Sequence, residues 1–186
     1  MKRMKYLKTL IRSVLILAGI NSVSATEPKG AGLGEPATAE EIAAWDITVM
    51  PDGEGLPAGQ GSVAAGKKIY AETCVACHGP QGIGGNAEKL AGAEMSLTSE
   101  YPEKTIGSYW PYATTLFDLI RRSMPMTAPG SLSNDEVYAV TAYLLYLNNI
   151  IDEDTVLDAA SLPQVEMPNR EGFIDIYQQE LSTDKQ

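Results

Sequence analysis

The 186-residue chain carries 14 Lys+Arg against 24 Asp+Glu, a formal net charge of −10, with two cysteines and one histidine. That length suits one domain with extensions. Such an acidic chain has no basic surface broad enough to neutralise several phosphates, which argues against nucleic-acid binding; two cysteines make no disulfide framework, and one histidine makes no multi-histidine metal site.

Residues 1–25 read as a secretory signal peptide. Lys2, Arg3, Lys5, Lys8 and Arg12 precede the apolar run Val14 to Ile20, and Val23-Ser24-Ala25 offers the small residues of a cleavage site near Ala25. The run is far short of the roughly 20 residues that a spanning helix needs. The expectation is a periplasmic protein with no membrane span after cleavage, whose mature form keeps 9 Lys+Arg against 24 Asp+Glu, a net −15.

Residues 26–61 form a Gly/Pro-rich N-terminal arm around one apolar island, Ile42 to Met50, too small to build its own core and expected to lie over the main domain or a partner. Thr38 and Glu41 have capping-box spacing for a short helix running into Trp45, read as a packing anchor. Residues 62–149 read as the globular domain. Ser62 is placed to cap a helix whose apolar or small face is Val63, Gly66, Ile69, Tyr70 and Thr73, and which delivers Cys74 at its end. Gly79 to Gly85 then forces a loop. Thr114 or Thr115 can cap a second helix through Leu116, Phe117 and Ile120, with Arg121 and Arg122 at its C-terminal end, stopping before Met124-Pro125. The clearest helix begins at Ser133, with Glu136 completing a capping box, and ends near Asn148-Asn149. Residues 150–186 are an acidic, proline-punctuated C-terminal extension expected to touch the core through Leu162, Val165, Met167, Phe173 and Ile174. No strand pattern of useful length is visible, so the fold class is all-α.

Both cysteines and the only histidine fall in Cys74-Val75-Ala76-Cys77-His78, the attachment motif of a c-type haem. The two sulfurs add across the haem vinyl groups, and the adjacent imidazole is an axial ligand of the iron. A thioredoxin-like dithiol gives no reason for His78, and a closed zinc site needs four ligands that this chain cannot supply. The cofactor expected is therefore one covalent haem c. With no second histidine, the strong candidates for the other axial ligand are Met50, Met95, Met124, Met126 and Met167. Met124 is favoured because it follows a short helix on a proline-stopped loop; Met126 is second, an open iron position third, and core packing is the commoner use of any methionine.

Filled axial positions leave outer-sphere electron transfer as the chemistry. No paired carboxylates, nucleophile with base or phosphate loop stands out, so the chain reads as an electron-transfer subunit and not as an enzyme by itself. For supporting roles, the carbonyl of Pro80 or a neighbour can accept the Nδ1 proton of His78. Tyr109, Trp110 and Tyr112 can wall the pocket, and Arg121 or Arg122 can pair with haem propionates; a packed aromatic cluster and solvated arginines account for the same residues equally well. The acidity serves solubility or steering toward a basic surface, and with the long arms it favours a fixed subunit over a shuttle.

The order of helix, Cys74-x-x-Cys77-His78, Gly-rich loop, Met124-Pro125 and terminal amphipathic helix resembles a class I cytochrome c. The narrower blocks Ala43 to Ile47, Pro51 to Pro57, Gly107 to Ala113, Asn134 to Leu144 and Met167 to Phe173 resemble the cytochrome subunit of periplasmic sulfane (sulfur) dehydrogenases of the Sox thiosulfate-oxidation system. The resemblance implies a class I cytochrome c fold with extended N- and C-terminal arms, haem at Cys74 and Cys77, and His78 and Met124 as axial ligands. It also implies a partner subunit that holds a molybdenum cofactor and oxidises the sulfur compound, with a cytochrome or oxidase downstream. Some members of that family carry a second haem domain, whereas one attachment motif is present here. Related single-haem cytochromes pair with sulfite dehydrogenases, which keeps that partner as an alternative, beside a free periplasmic shuttle and an open-site haem-binding or peroxidatic protein.

Overall fold

The computed structural model describes residues 33–94, 96–174 and 176. The signal peptide expected at 1–25 and Met95 lie outside the described residues. The chain divides into a unit ending at Ala43 and one beginning at Ala44. Helix α1 (Ala39–Trp45) starts from the expected box: the Thr38 N–H donates to Glu41 Oε2 at 2.8 Å and the Glu41 N–H to Thr38 Oγ1 at 3.2 Å. Trp45, however, is 87% exposed. The inward positions of the apolar island belong instead to Ile47 and Val49, two residues apart on an extended stretch, with Val49 buried.

Within the second unit, strand β1 (Gln60–Ser62) leads straight into helix α2 (Val63–Thr73), capped by Ser62 Oγ on the Ala65 N–H. A single turn, α3 (Val75–His78), and a 3₁₀ turn (Pro80–Gly82) follow. Helix α4 (Ile106–Tyr109) begins with a Thr105–Ser108 capping box, helix α5 (Ala113–Ser123) ends at Met124, and helix α6 (Asn134–Leu147) carries the expected Ser133–Glu136 box. Strand β2 (Val156–Asp158) pairs antiparallel with β1, Gly61 opposite Leu157. Two three-residue strands are too short for alternation to be read from sequence, so the fold is all-α with this one small ladder.

Helix α6 is the axis of the core: every residue from Val137 to Leu145 is buried, because α2, α5 and both strands pack around it. Gly66 makes the α2–α6 approach possible; a Cβ there would stand 1.8 Å from the Ala139 carbonyl oxygen. Phe117 of α5 packs on Tyr138 of α6 with the rings tilted, 4.5 Å between ring centres, and Tyr70 of α2 meets Tyr143 at 5.3 Å. The arm lies over this domain as expected from residue 47 onward: the Tyr138 hydroxyl donates to the Pro57 carbonyl at 2.9 Å, and the Gln60 N–H to Asp135 Oδ1 at 2.8 Å. The C-terminal extension buries Leu162 and Met167 and half-buries Val165. Phe173 keeps one edge-to-face contact with Tyr109, whereas Ile174 is 69% exposed.

Candidate functional site: the Cys74–His78 turn

Helix α2 ends at Cys74, whose N–H donates to the Tyr70 carbonyl at 2.9 Å. The next turn is wound on Cys74 itself, its carbonyl accepting from the N–H groups of Cys77 (3.2 Å) and His78 (3.0 Å). No disulfide joins the two cysteines, of which Cys74 is half-buried and Cys77 exposed. Burial pushes the Cys74 thiol up, partly offset by the Thr73 hydroxyl 3.3 Å from its sulfur. Gly79 stops the turn at φ +76, where a Cβ would lie 2.1 Å from the Ile83 carbonyl oxygen, so the chain reverses there without a side chain. The buried Tyr70 hydroxyl donates to the Gly79 carbonyl at 2.9 Å and fastens this reversal to α2; its own ionisation is pushed up to about 12 by burial.

The imidazole of His78 is half-buried, with Nδ1 3.1 Å from the Glu88 carbonyl oxygen. That carbonyl, and not the one of Pro80, is the partner; the Pro80 carbonyl accepts from the Ile83 N–H. The bond fixes the proton on Nδ1 and leaves Nε2 as the free electron pair. Two thiols one turn apart and an adjacent imidazole with Nε2 available are the donor set that a covalent haem requires, so the residues present fit the group.

Among the methionines, Met124 is half-buried against the core and its N–H donates to Ile120 at the end of α5. Met126 is 79% exposed, Met50 is exposed and Met167 is buried in the core. Tyr109 is edge-on to Phe173 with the Lys104 ammonium 5.1 Å from its ring centre, Trp110 is half-buried against the core, and Tyr112 lies under the Arg170 guanidinium at 4.6 Å. Arg121 donates to the Ile47 carbonyl at 3.2 Å, and Arg122 pairs with Asp118 at 2.6 Å. Thr114 does not cap α5. Tyr112 stands at the cap position without a side-chain bond, and Thr114 Oγ1 donates to the Pro51 carbonyl at 3.0 Å. Among the described residues, no group of three or more His, Cys, Asp or Glu could hold a separate metal ion, and no helix is long and apolar enough to cross a membrane.

A cytochrome c family model matches residues 63–148. One chain in the crystal structure of the sulfane dehydrogenase SoxCD from Paracoccus pantotrophus is 45% identical, with TM-score 0.74, over 84% of this chain and 78% of that one. The chain belongs to the class I c-type cytochromes. Its cofactor is accordingly covalent haem c. The thiosulfate dehydrogenase of Stutzerimonas stutzeri strain A1501 is 31% identical over 112 residues, 54% of this chain, and the cytochrome spans 35% of that protein's length.

Asn148 contributes to the cytochrome's site in a way the sequence did not disclose. Its Nδ2 donates to the carbonyls of Leu90 (3.1 Å) and Leu144 (2.8 Å), and its Oδ1 accepts from the Gly107 N–H at 3.0 Å. One side chain thereby joins the end of α6 to the loop after His78 and to α4. Sequence reading marks Asn148 as a helix end, but the carbonyls and N–H it binds carry no side-chain signature, and the same holds for Glu88.

Proposed function

We propose that this cytochrome is an exported, periplasmic single-haem subunit that accepts electrons from a molybdenum-cofactor dehydrogenase acting on sulfane sulfur and passes them to a downstream cytochrome or oxidase. The observation that carries the reading is the 45% identity with the SoxCD chain, which extends beyond the 86 family-matched residues into both arms. The thiosulfate dehydrogenase relative supports the same substrate class, a reduced inorganic sulfur compound. In this reading residues 1–25 are the signal, 26–61 the arm, 62–149 the cytochrome domain and 150–186 the extension.

Cys74 and Cys77 would hold the haem by thioether bonds, and His78 Nε2 and the Met124 sulfur would bind its iron. Haem c supplies a one-electron couple, and a thioether ligand raises its potential. The Glu88 carbonyl, by holding the Nδ1 proton, orients the imidazole and makes Nε2 more electron-rich. Tyr70 keeps the reversal at Gly79 in place.

The test is isolation of the tagged, haem-loaded chain from native periplasm. The reading expects co-purification with a second polypeptide and roughly one molybdenum per haem, and reduction of the haem by a sulfane-sulfur substrate. A lone monomer with no molybdenum in the fraction refutes the subunit assignment.

A further inference from the structure

Thr114, Asp118 and Arg121 form a polar stripe along α5, four and then three residues apart, so they share one face. Each is bonded to the extended arm segment 47–51, and the order is antiparallel. Arg121 donates to the Ile47 carbonyl at 3.2 Å, Asp118 Oδ1 accepts from the Val49 N–H at 2.9 Å, and Thr114 donates to the Pro51 carbonyl at 3.0 Å. The three bonds span two turns of α5. Asp118 is the central fastening: its side chain is 15% exposed, and its other oxygen accepts from Arg122 Nε (3.0 Å) and Nη2 (2.6 Å).

The adjoining face of α5, with Ala113, Leu116, Phe117 and Ile120, is buried against the core, and Thr114 is buried with it. The helix is thus held on two neighbouring faces, and its last turn binds the Met124 N–H to the Ile120 carbonyl at 3.0 Å. A shift of α5 is therefore a shift of Met124. We infer that Asp118 is a positioning residue, which clamps the arm strap 47–51 onto α5 and so holds Met124 at the haem iron. The inference rests on the assignment of Met124 as axial ligand. It gives the arm a part in setting the iron's coordination, separate from any part in binding a partner.

Asp118→Ala in the full haem-loaded chain tests this, read by carbon monoxide binding to the reduced protein and by the thioether-to-iron absorption band of the oxidised protein on warming. The expected result is a carbon monoxide binding rate raised about tenfold, equivalent to about 1.4 kcal/mol, with the band lost at temperatures where the far-ultraviolet circular dichroism is still that of folded protein. Arg122→Gln removes the ion pair but leaves the Val49 bond, and is expected to stay near the parent. A rise below about threefold (about 0.65 kcal/mol) in Asp118→Ala, loss of the band only together with global unfolding, or an Arg122→Gln variant that matches Asp118→Ala overturns the inference. If Asp118→Ala does not fold, Thr114→Val decides by the same readings and the same threshold. A parent without the thioether band, or a Met124→Ala variant that keeps it, refutes the ligand assignment instead; loss of the band in Met124→Ala beside parental behaviour in Asp118→Ala refutes the clamp alone.

Discussion

Gly66→Ala sets two physical effects of opposite sign against each other. Helix propensity alone makes alanine better than glycine in the interior of α2 by about 1 kcal/mol. The packing says otherwise: the new Cβ would stand 1.8 Å from the Ala139 carbonyl oxygen, 2.4 Å from its carbon and 2.8 Å from Tyr143 Cβ, where ordinary contact begins near 3.4 Å. Two of the three atoms are backbone of the fully packed helix α6, so no rotamer change relieves the clash. Parting the helices by roughly 1.5 Å would forfeit a large share of the dispersion contacts around Val63, Tyr70 and Tyr143. Overpacking of this kind costs about 3 kcal/mol, at the upper end of its usual range, which leaves a net destabilisation of about 2 kcal/mol and a melting temperature lower by about 4 to 8 °C. Guanidinium unfolding of the haem-loaded protein, followed by far-ultraviolet circular dichroism, measures it. Ala71→Gly, at an exposed position of the same helix, calibrates propensity alone at about 1 kcal/mol of loss. A Gly66→Ala protein as stable as the parent, or more stable, refutes the close α2–α6 approach.

Tyr138→Phe removes the hydroxyl that donates to the Pro57 carbonyl and should cost about 1 to 2 kcal/mol at neutral pH. Tyr138 is pushed up to about 12 by burial and then by the Asp158 charge; a raised folded value means its contribution is complete below pH 10 and is lost as pH rises from 10 toward 12. Phenylalanine should flatten that alkaline slope, and an unchanged slope in denaturant titrations at pH 9 to 12 would contradict the assignment. At the acid end, the Ser133 N–H and hydroxyl hold the Glu136 carboxyl below its usual range. A lowered folded value contributes above the unfolded value of about 4.3 and fades as pH falls below it, so Glu136→Gln should shallow the stability decline between about pH 5 and 3, and an identical acid limb would count against the box.

What the sequence disclosed was local. The Thr38–Glu41 and Ser133–Glu136 boxes, the Ser62 cap, the end of α6 at Asn148 and the cysteine-histidine turn all depend on residues within four positions of each other. Backbone geometry brings such residues together once a helix starts, so residue type and spacing suffice. The carbonyl that meets His78 is not legible in the sequence for a related reason. Every residue has a carbonyl, and which one meets Nδ1 depends on how the loop from Gly79 to Glu88 folds back, which residue type does not record.

The polar residues of α5 show the other limit. The local uses of Thr114 and Arg121 are a cap at a helix start and, at a helix end, an anion or solvent. Their actual partners lie 63 and 74 positions away in the chain. The strap at 47–51 runs outside any sheet or helix, so the Val49 N–H and the carbonyls of Ile47 and Pro51 must find side chains or water. A helix face that offers a donor, an acceptor and a donor at positions 114, 118 and 121 satisfies all three. The signal was therefore present in two pieces: an apolar alternation of Ile47 and Val49 in a segment with no ladder partner, and a polar stripe on one face of an otherwise core-packed helix. Neither piece names the other, but an extended segment with inward apolar side chains has to satisfy its backbone against whatever it covers, and the polar stripe of α5 meets that demand.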